Sequence, residues 1–128
     1  MGMLIAKLCL SSIFFCAVFG QTRYFAKHLE VIAAHGIPGD RLSLCLAIVL
    51  EIFAAVLLFV PRYTSWAAFT LALFTSAVTA VFYGRWFDGK EFWLEKAIQT
   101  NKNAAIVGGL IAVIALDPTR PAFFSFFD

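Results

Sequence analysis

The run LSLCLAIVLEIFAAVLLFV, Leu42 to Val60, decides the fold. Apart from Ser43 near its start it is apolar, with one charged residue, Glu51, near its centre. At 1.5 Å rise per residue, about 20 apolar residues cross a hydrocarbon core of about 30 Å, so the run reads as a membrane span. A lipid-facing charge there costs at least about 2.5 kcal/mol. The Glu51 carboxyl must therefore face protein or water.

The rest of the chain agrees. Of its 128 residues, 62% are hydrophobic and 14% charged, too much apolar surface for a soluble domain of this size to bury. The net charge is only +2 and the basic residues form no long run, which argues against nucleic acid as a partner. Three cysteines lack CxxC spacing, which argues against zinc or a thioredoxin-like motif. Met1 to Gly20 reads as a retained helix, because no small-x-small cleavage site followed by a polar segment comes after it.

Four spans emerge, at about 3–20, 41–60, 64–84 and 103–116, forming one membrane domain. The last is short for a span, which leaves open an earlier start inside the polar stretch before it, and Asp117-Pro118 ends it. Pro61-Arg62-Tyr63 joins spans two and three as a tight hairpin. In the first link, Phe25, Leu29 and Ile32 recur at helical spacing beside Arg23, Lys27 and Glu30, the pattern of a short interfacial helix. Gly36-Ile37-Pro38-Gly39 then turns the chain into span two. The third link carries Trp86, Phe87, Phe92 and Trp93 among charges, as headgroup-level segments do. The phenylalanine-rich tail, Pro121 to Asp128, is expected along the membrane surface. Links one and three hold most of the Lys and Arg, which places them in the cytoplasm and both termini outside.

Helices in lipid pack through small residues at four-residue spacing. Such stripes are Cys9-Ser12-Cys16-Gly20, Ala47-Glu51-Ala55, Ala68-Ala72-Ser76-Ala80 and Ala104-Gly108-Ala112. The fold expected is all-α, an integral membrane antiparallel four-helix bundle with a short interfacial helix between spans one and two. Glu51 lies on its stripe and should point inward.

Glu51 is the leading candidate for chemistry. Counted from Arg41 it lies about 15 Å deep, near the midplane. Lys7 is about 5 Å further toward the opposite face, within reach of a lysine stem, and Thr75 and Ser76 reach similar depth. Glu51 reads either as a proton-accepting or ligand-binding group or as an interhelical tie. Cys9 and Cys16, about 10 Å apart along one helix, are too far apart for a disulfide. Cys16 and Cys45 each lie four residues from the first-link end of their span. They are redox candidates, against a reading as small packing residues. Tyr24, His28 and His35 form one stripe on a helix; they suit a quinone headgroup site or headgroup anchoring. No third ligand for a metal is evident, no CxxCH is present for covalent haem, and no span contains a histidine for a bis-His haem.

The joint order of features resembles the DoxX family of small bacterial four-helix membrane proteins. The features are Phe19-Gly20 closing span one, Lys27 on an interfacial helix, Gly36-Ile37-Pro38, and Glu51 in span two. They continue with Tyr63 to Ala68, Phe82-Tyr83-Gly84, and Lys102-Asn103 before Gly108-Gly109. Tyr83 departs from the resemblance, since many relatives have a histidine there. The resemblance implies a multi-pass protein of the bacterial inner membrane. It also implies a link to membrane redox systems: thiosulfate:quinone oxidation, complexes with superoxide dismutase and a sulfurtransferase, or maturation of disulfide-containing enzymes.

The expected function is a membrane subunit of a quinone- or thiol-linked redox system that supports a partner oxidoreductase rather than catalysing alone. The residues leave the cofactor open, with quinone the candidate and no haem or metal motif; the lipid bilayer, an oxidoreductase and further copies of the chain are the candidate partners. The alternative is a non-enzymatic structural or lipid-binding subunit. A transporter would need polar residues aligned through several spans, and only Glu51, Thr75, Ser76 and Thr79 are available.

Overall fold

The computed structural model describes residues 2–34, 39–83 and 93–127. His35, the Gly36-Ile37-Pro38 turn and the Trp86, Phe87 and Phe92 belt lie outside the described residues. The described chain is helical: α1 Gly2–Arg23, α2 Phe25–Ala34, α3 Asp40–Leu57, α4 Thr64–Tyr83 and α5 Trp93–Leu116, with 3-10 segments at Pro61–Tyr63 and Ala122–Phe127.

α1 continues through Gly20, where the sequence suggests an end, and stops at Tyr24. The bonds from Tyr24 N–H to the Gly20 carbonyl (2.9 Å) and from His28 N–H to the Tyr24 carbonyl (3.0 Å) carry the backbone into α2. α2 has the expected amphipathic form. Phe25, Leu29 and Ile32 are half-buried, and Lys27 and Glu30 are exposed. α3 opens at Gly39, whose φ of 64° is a left-handed conformation that glycine adopts without strain. The α3–α4 turn is held by Thr64, whose buried hydroxyl lies 3.0 Å from the carbonyls of both Leu58 and Val60. α5 starts at Trp93, ten residues before 103 and inside the polar stretch where the sequence leaves an earlier start open, and ends before Asp117-Pro118, since proline cannot continue a helix.

Each long helix packs on two others: α1 on α3 and α5, and α4 on α3 and α5. The interior is filled by Leu10 and Phe14 of α1, Ala54, Ala55 and Leu58, then Ala67, Ala68 and Leu71 of α4, and Leu110 and Ile114 of α5. Large apolar side chains also point outward, among them Phe53, Leu46, Phe19 and Leu116, each more than half exposed. Such a surface is unsuited to water. Two segments, Gly2–Arg23 and Pro61–Val81, are long and apolar enough to cross a bilayer by length and composition.

Two of the small-residue stripes face the other way from expectation. Cys9, Ser12 and Cys16 of α1 are exposed, and so are Ala104, Gly108 and Ala112 of α5. The faces turned inward carry Leu10, Ser11 and Phe14, and Ile106, Leu110 and Val113. The close approach of α5 to α1 falls instead at half-buried Gly109, where an added Cβ would sit 3.4 Å from Leu10. The tail does not simply lie on the surface. It folds back on α4, with Phe124 wholly buried and in edge contact with Trp66 (4.8 Å) and Phe69 (5.5 Å).

Candidate functional site

Glu51 points inward, as its place between Ala47 and Ala55 requires, and is 4% exposed. Its partner is Gln21 in the last turn of α1, whose carboxamide N–H donates to the carboxyl. Two buried oxygens at this point, Oε2 of Glu51 and Oε1 of Gln21, have no hydrogen-bond partner. Both are acceptors when the carboxyl is ionised, so the pair is short of a donor. Leaving a buried acceptor unpaired is costly, and such a group asks for a functional explanation.

Lys7 does not pair with Glu51. Its ammonium donates to Thr64 Oγ1 at 3.3 Å, at the opposite end of the helices. The register explains this. Ser11 donates to the Ala55 carbonyl (3.4 Å), so the residue one turn above Ser11 faces the α3–α4 turn, while Glu51 lies one turn below Ala55. Counting depth from the expected span ends misplaced Lys7, because α1 runs on to Arg23. Ser76 is exposed; Thr75 is buried, and its carbonyl accepts from Thr79 (2.7 Å). Neither bonds Glu51 among the described residues.

Tyr24 sits at the α1–α2 corner, one turn beyond Gln21, and His28 one turn further on, in α2. His28 Nδ1 lies 3.0 Å from the Tyr24 carbonyl. A carbonyl only accepts, so Nδ1 carries a proton, which in a neutral ring leaves Nε2 as an acceptor. The Tyr24 ring is exposed, with the Arg23 guanidinium 5.8 Å from its centroid. Gln21 thus links Glu51, in the middle of α3, to the last turn of α1 before this corner, and among the described residues no hydrogen bond joins Tyr24 or His28 to Glu51 itself. The three cysteines, Cys9, Cys16 and Cys45, are free and exposed, and no disulfide joins Cys16 to Cys45 here. Among the described residues no group of three or more His, Cys, Asp or Glu could hold a metal ion.

A second polar cluster, at the other end, escaped the sequence reading. Asp117 is buried and accepts from the Ser65 hydroxyl at 2.7 Å, the Thr119 N–H at 3.0 Å and the Thr119 hydroxyl at 2.9 Å. The Thr119 hydroxyl also lies 2.7 Å from the Pro61 carbonyl. Burial pushes the Asp117 carboxyl up, but the bonds from Ser65 and Thr119 and the nearby Lys7 ammonium outweigh it and hold the group below its ordinary value. The readable signal was the Asp117-Pro118-Thr119 order, since aspartate bonds a backbone N–H two residues on in an Asx-turn.

The DoxX family model matches residues 2–84, from the start of α1 to the end of α4. No curated protein matches the chain. No solved structure matches it either. The match covers more than half of the chain and includes Glu51, Gln21, Tyr24 and His28; on this evidence the chain belongs to the DoxX family.

Proposed function

We propose that the protein is a four-span subunit of the bacterial inner membrane, a bundle whose long helices all cross the bilayer, and that it serves a quinone- or thiol-linked redox system by supporting a partner oxidoreductase. The observation that carries this reading is the Gln21–Glu51 contact. It ties a carboxyl deep in α3, with one oxygen unpartnered, to the helix turn that leads to Tyr24 and His28. An ionisable group held inside a membrane domain is a functional site by default.

The residues fit a quinone headgroup. The Tyr24 hydroxyl donates to a quinone carbonyl, and Nε2 of His28 accepts from the hydroxyl of the reduced form. Two-electron reduction of a quinone takes up two protons. The partner supplies the electrons, and Glu51 is the buried group able to hold a proton beside that site. Three exposed thiols keep a thiol-linked variant of the reading open, with Cys16 and Cys45 as the nearest candidates to this end of the helices.

The test is mass spectrometry of the protein extracted with its native lipids, reading proteins and quinones together. A soluble oxidoreductase or near-stoichiometric quinone is the expected result. Ordinary phospholipid and self-oligomers alone would favour the second reading, a structural subunit in which Glu51 is an interhelical tie.

A further inference from the structure

A groove of about 250 Å³ runs between α3 and α4 on the outward face, from Leu50 to Tyr63 in the Pro61–Tyr63 turn. Its floor is made by Ala54 and Ala67, both nearly fully buried, whose small side chains leave the space open. Phe53 and Leu57 form one wall, Trp66 and Thr70 the other. Thr70 turns its hydroxyl to the Trp66 carbonyl (2.9 Å), so it presents its methyl group and the slot is apolar along its length. Tyr63 closes the end. Beside it the exposed Arg62 guanidinium lies 5.8 Å from the Tyr63 ring centroid, and among the described residues Arg62 forms no ion pair.

We infer that this groove is a binding site for an anionic phospholipid, with one acyl chain along the α3–α4 slot and the phosphate on Arg62. An apolar slot that ends at a cation requires an occupant that is apolar at one end and anionic at the other. Guanidinium matches a phosphate through parallel hydrogen bonds, and Tyr63 and Trp66 stand at the level where aromatic rings meet ester and headgroup. Of the cations near this turn, Lys7 bonds Thr64 and Arg120 bonds the Ala115 carbonyl, whereas Arg62 is exposed beside Tyr63 at the mouth of the slot. This site rests on the proposed placement of α3 and α4 in the bilayer and does not depend on the Gln21–Glu51 contact. It stands or falls on lipid binding alone.

The test is native mass spectrometry of the full chain in detergent, titrated with dioleoyl phosphatidylglycerol or dioleoyl phosphatidylcholine. One basic residue near a headgroup is worth about fivefold in affinity, so wild type should retain the anionic lipid about fivefold better. R62Q should lose that preference and bind both lipids alike. T70F, which fills the slot from a half-buried position, should weaken both. Equal retention of the two lipids by wild type would overturn the assignment. A preference that survives R62Q, full binding in T70F, or a dimer that T70F dissociates without any loss of lipid would do the same.

Discussion

The Ser65 hydroxyl, at the start of α4, donates to Oδ2 of Asp117, just past the end of α5, at 2.7 Å. Twenty ångströms or so along the same pair of helices, by about 1.5 Å per residue, Asn103 Nδ2 donates to Thr79 Oγ1 at 2.9 Å. Both bonds keep the same antiparallel register, so the α4–α5 seam is fixed near each end. The Ser65 end is the tighter, because its acceptor is a buried carboxylate that Thr119 also serves.

Removing either partner of that bond should loosen the seam. S65A and D117A are each expected to cost about 1–2 kcal/mol, between the value for bonds to charged groups and the smaller one for interhelical bonds in membranes. Thermal unfolding in detergent measures this. The double variant should cost less than the sum of the two, since the second change removes a group already left unpaired.

The same carboxylate sets an acid limb. Asp117 has a folded-state pKa below its ordinary value, so its contribution is complete above the unfolded-state pKa of about 3.9 and is lost as pH falls through the folded one. Melting temperature should hold from neutral pH down to about 4 and drop below it. D117N should start lower and show a shallower drop over the same range.

Phe124 and Phe123 separate a buried ring from an exposed one. Phe124 is fully buried against Trp66 and Phe69, whereas Phe123 is 58% exposed although it stacks on Trp66 at 5.4 Å. F124A is expected to cost about 3 kcal/mol or more, as large-to-small changes in a packed core do. F123A should cost about 1 kcal/mol or less, the worth of an aromatic pair beyond its buried area. The two melting curves in detergent decide.

All three thiols are free and exposed. Intact protein treated in its membrane with membrane-permeant N-ethylmaleimide, without prior reduction, should gain three adducts by mass. A gain of one would reveal a disulfide, Cys16–Cys45 being the pair to map first.

The inward turn of Glu51 was legible because α3 has one small-residue face, Ala47-Glu51-Ala55, and the charge and the packing requirement point the same way. α2 was legible for a similar reason, its apolar and charged faces being distinct. α1 and α5 were not, because α1 is apolar on every side and α5 offers Ala104-Gly108-Ala112 and Ile106-Leu110-Val113 as rival faces. There the interior took the large residues and left the small ones outside. The Gln21–Glu51 contact needed the true end of α1, and the Asp117 cluster needed the register of α4 on α5. Neither is written in local spacing.

The most direct test of the central claim is E51Q, which keeps shape and removes the ionisable group. It is to be assayed for quinone reduction in membranes that contain the oxidoreductase recovered with the wild-type protein. A fall in rate of about a hundredfold or more, the lower end for loss of a proton-transferring group, with unchanged helicity and melting temperature, is the result expected if Glu51 serves the redox site. Unchanged turnover, with the melting temperature alone altered, would contradict it and leave Glu51 as a tie between α3 and α1.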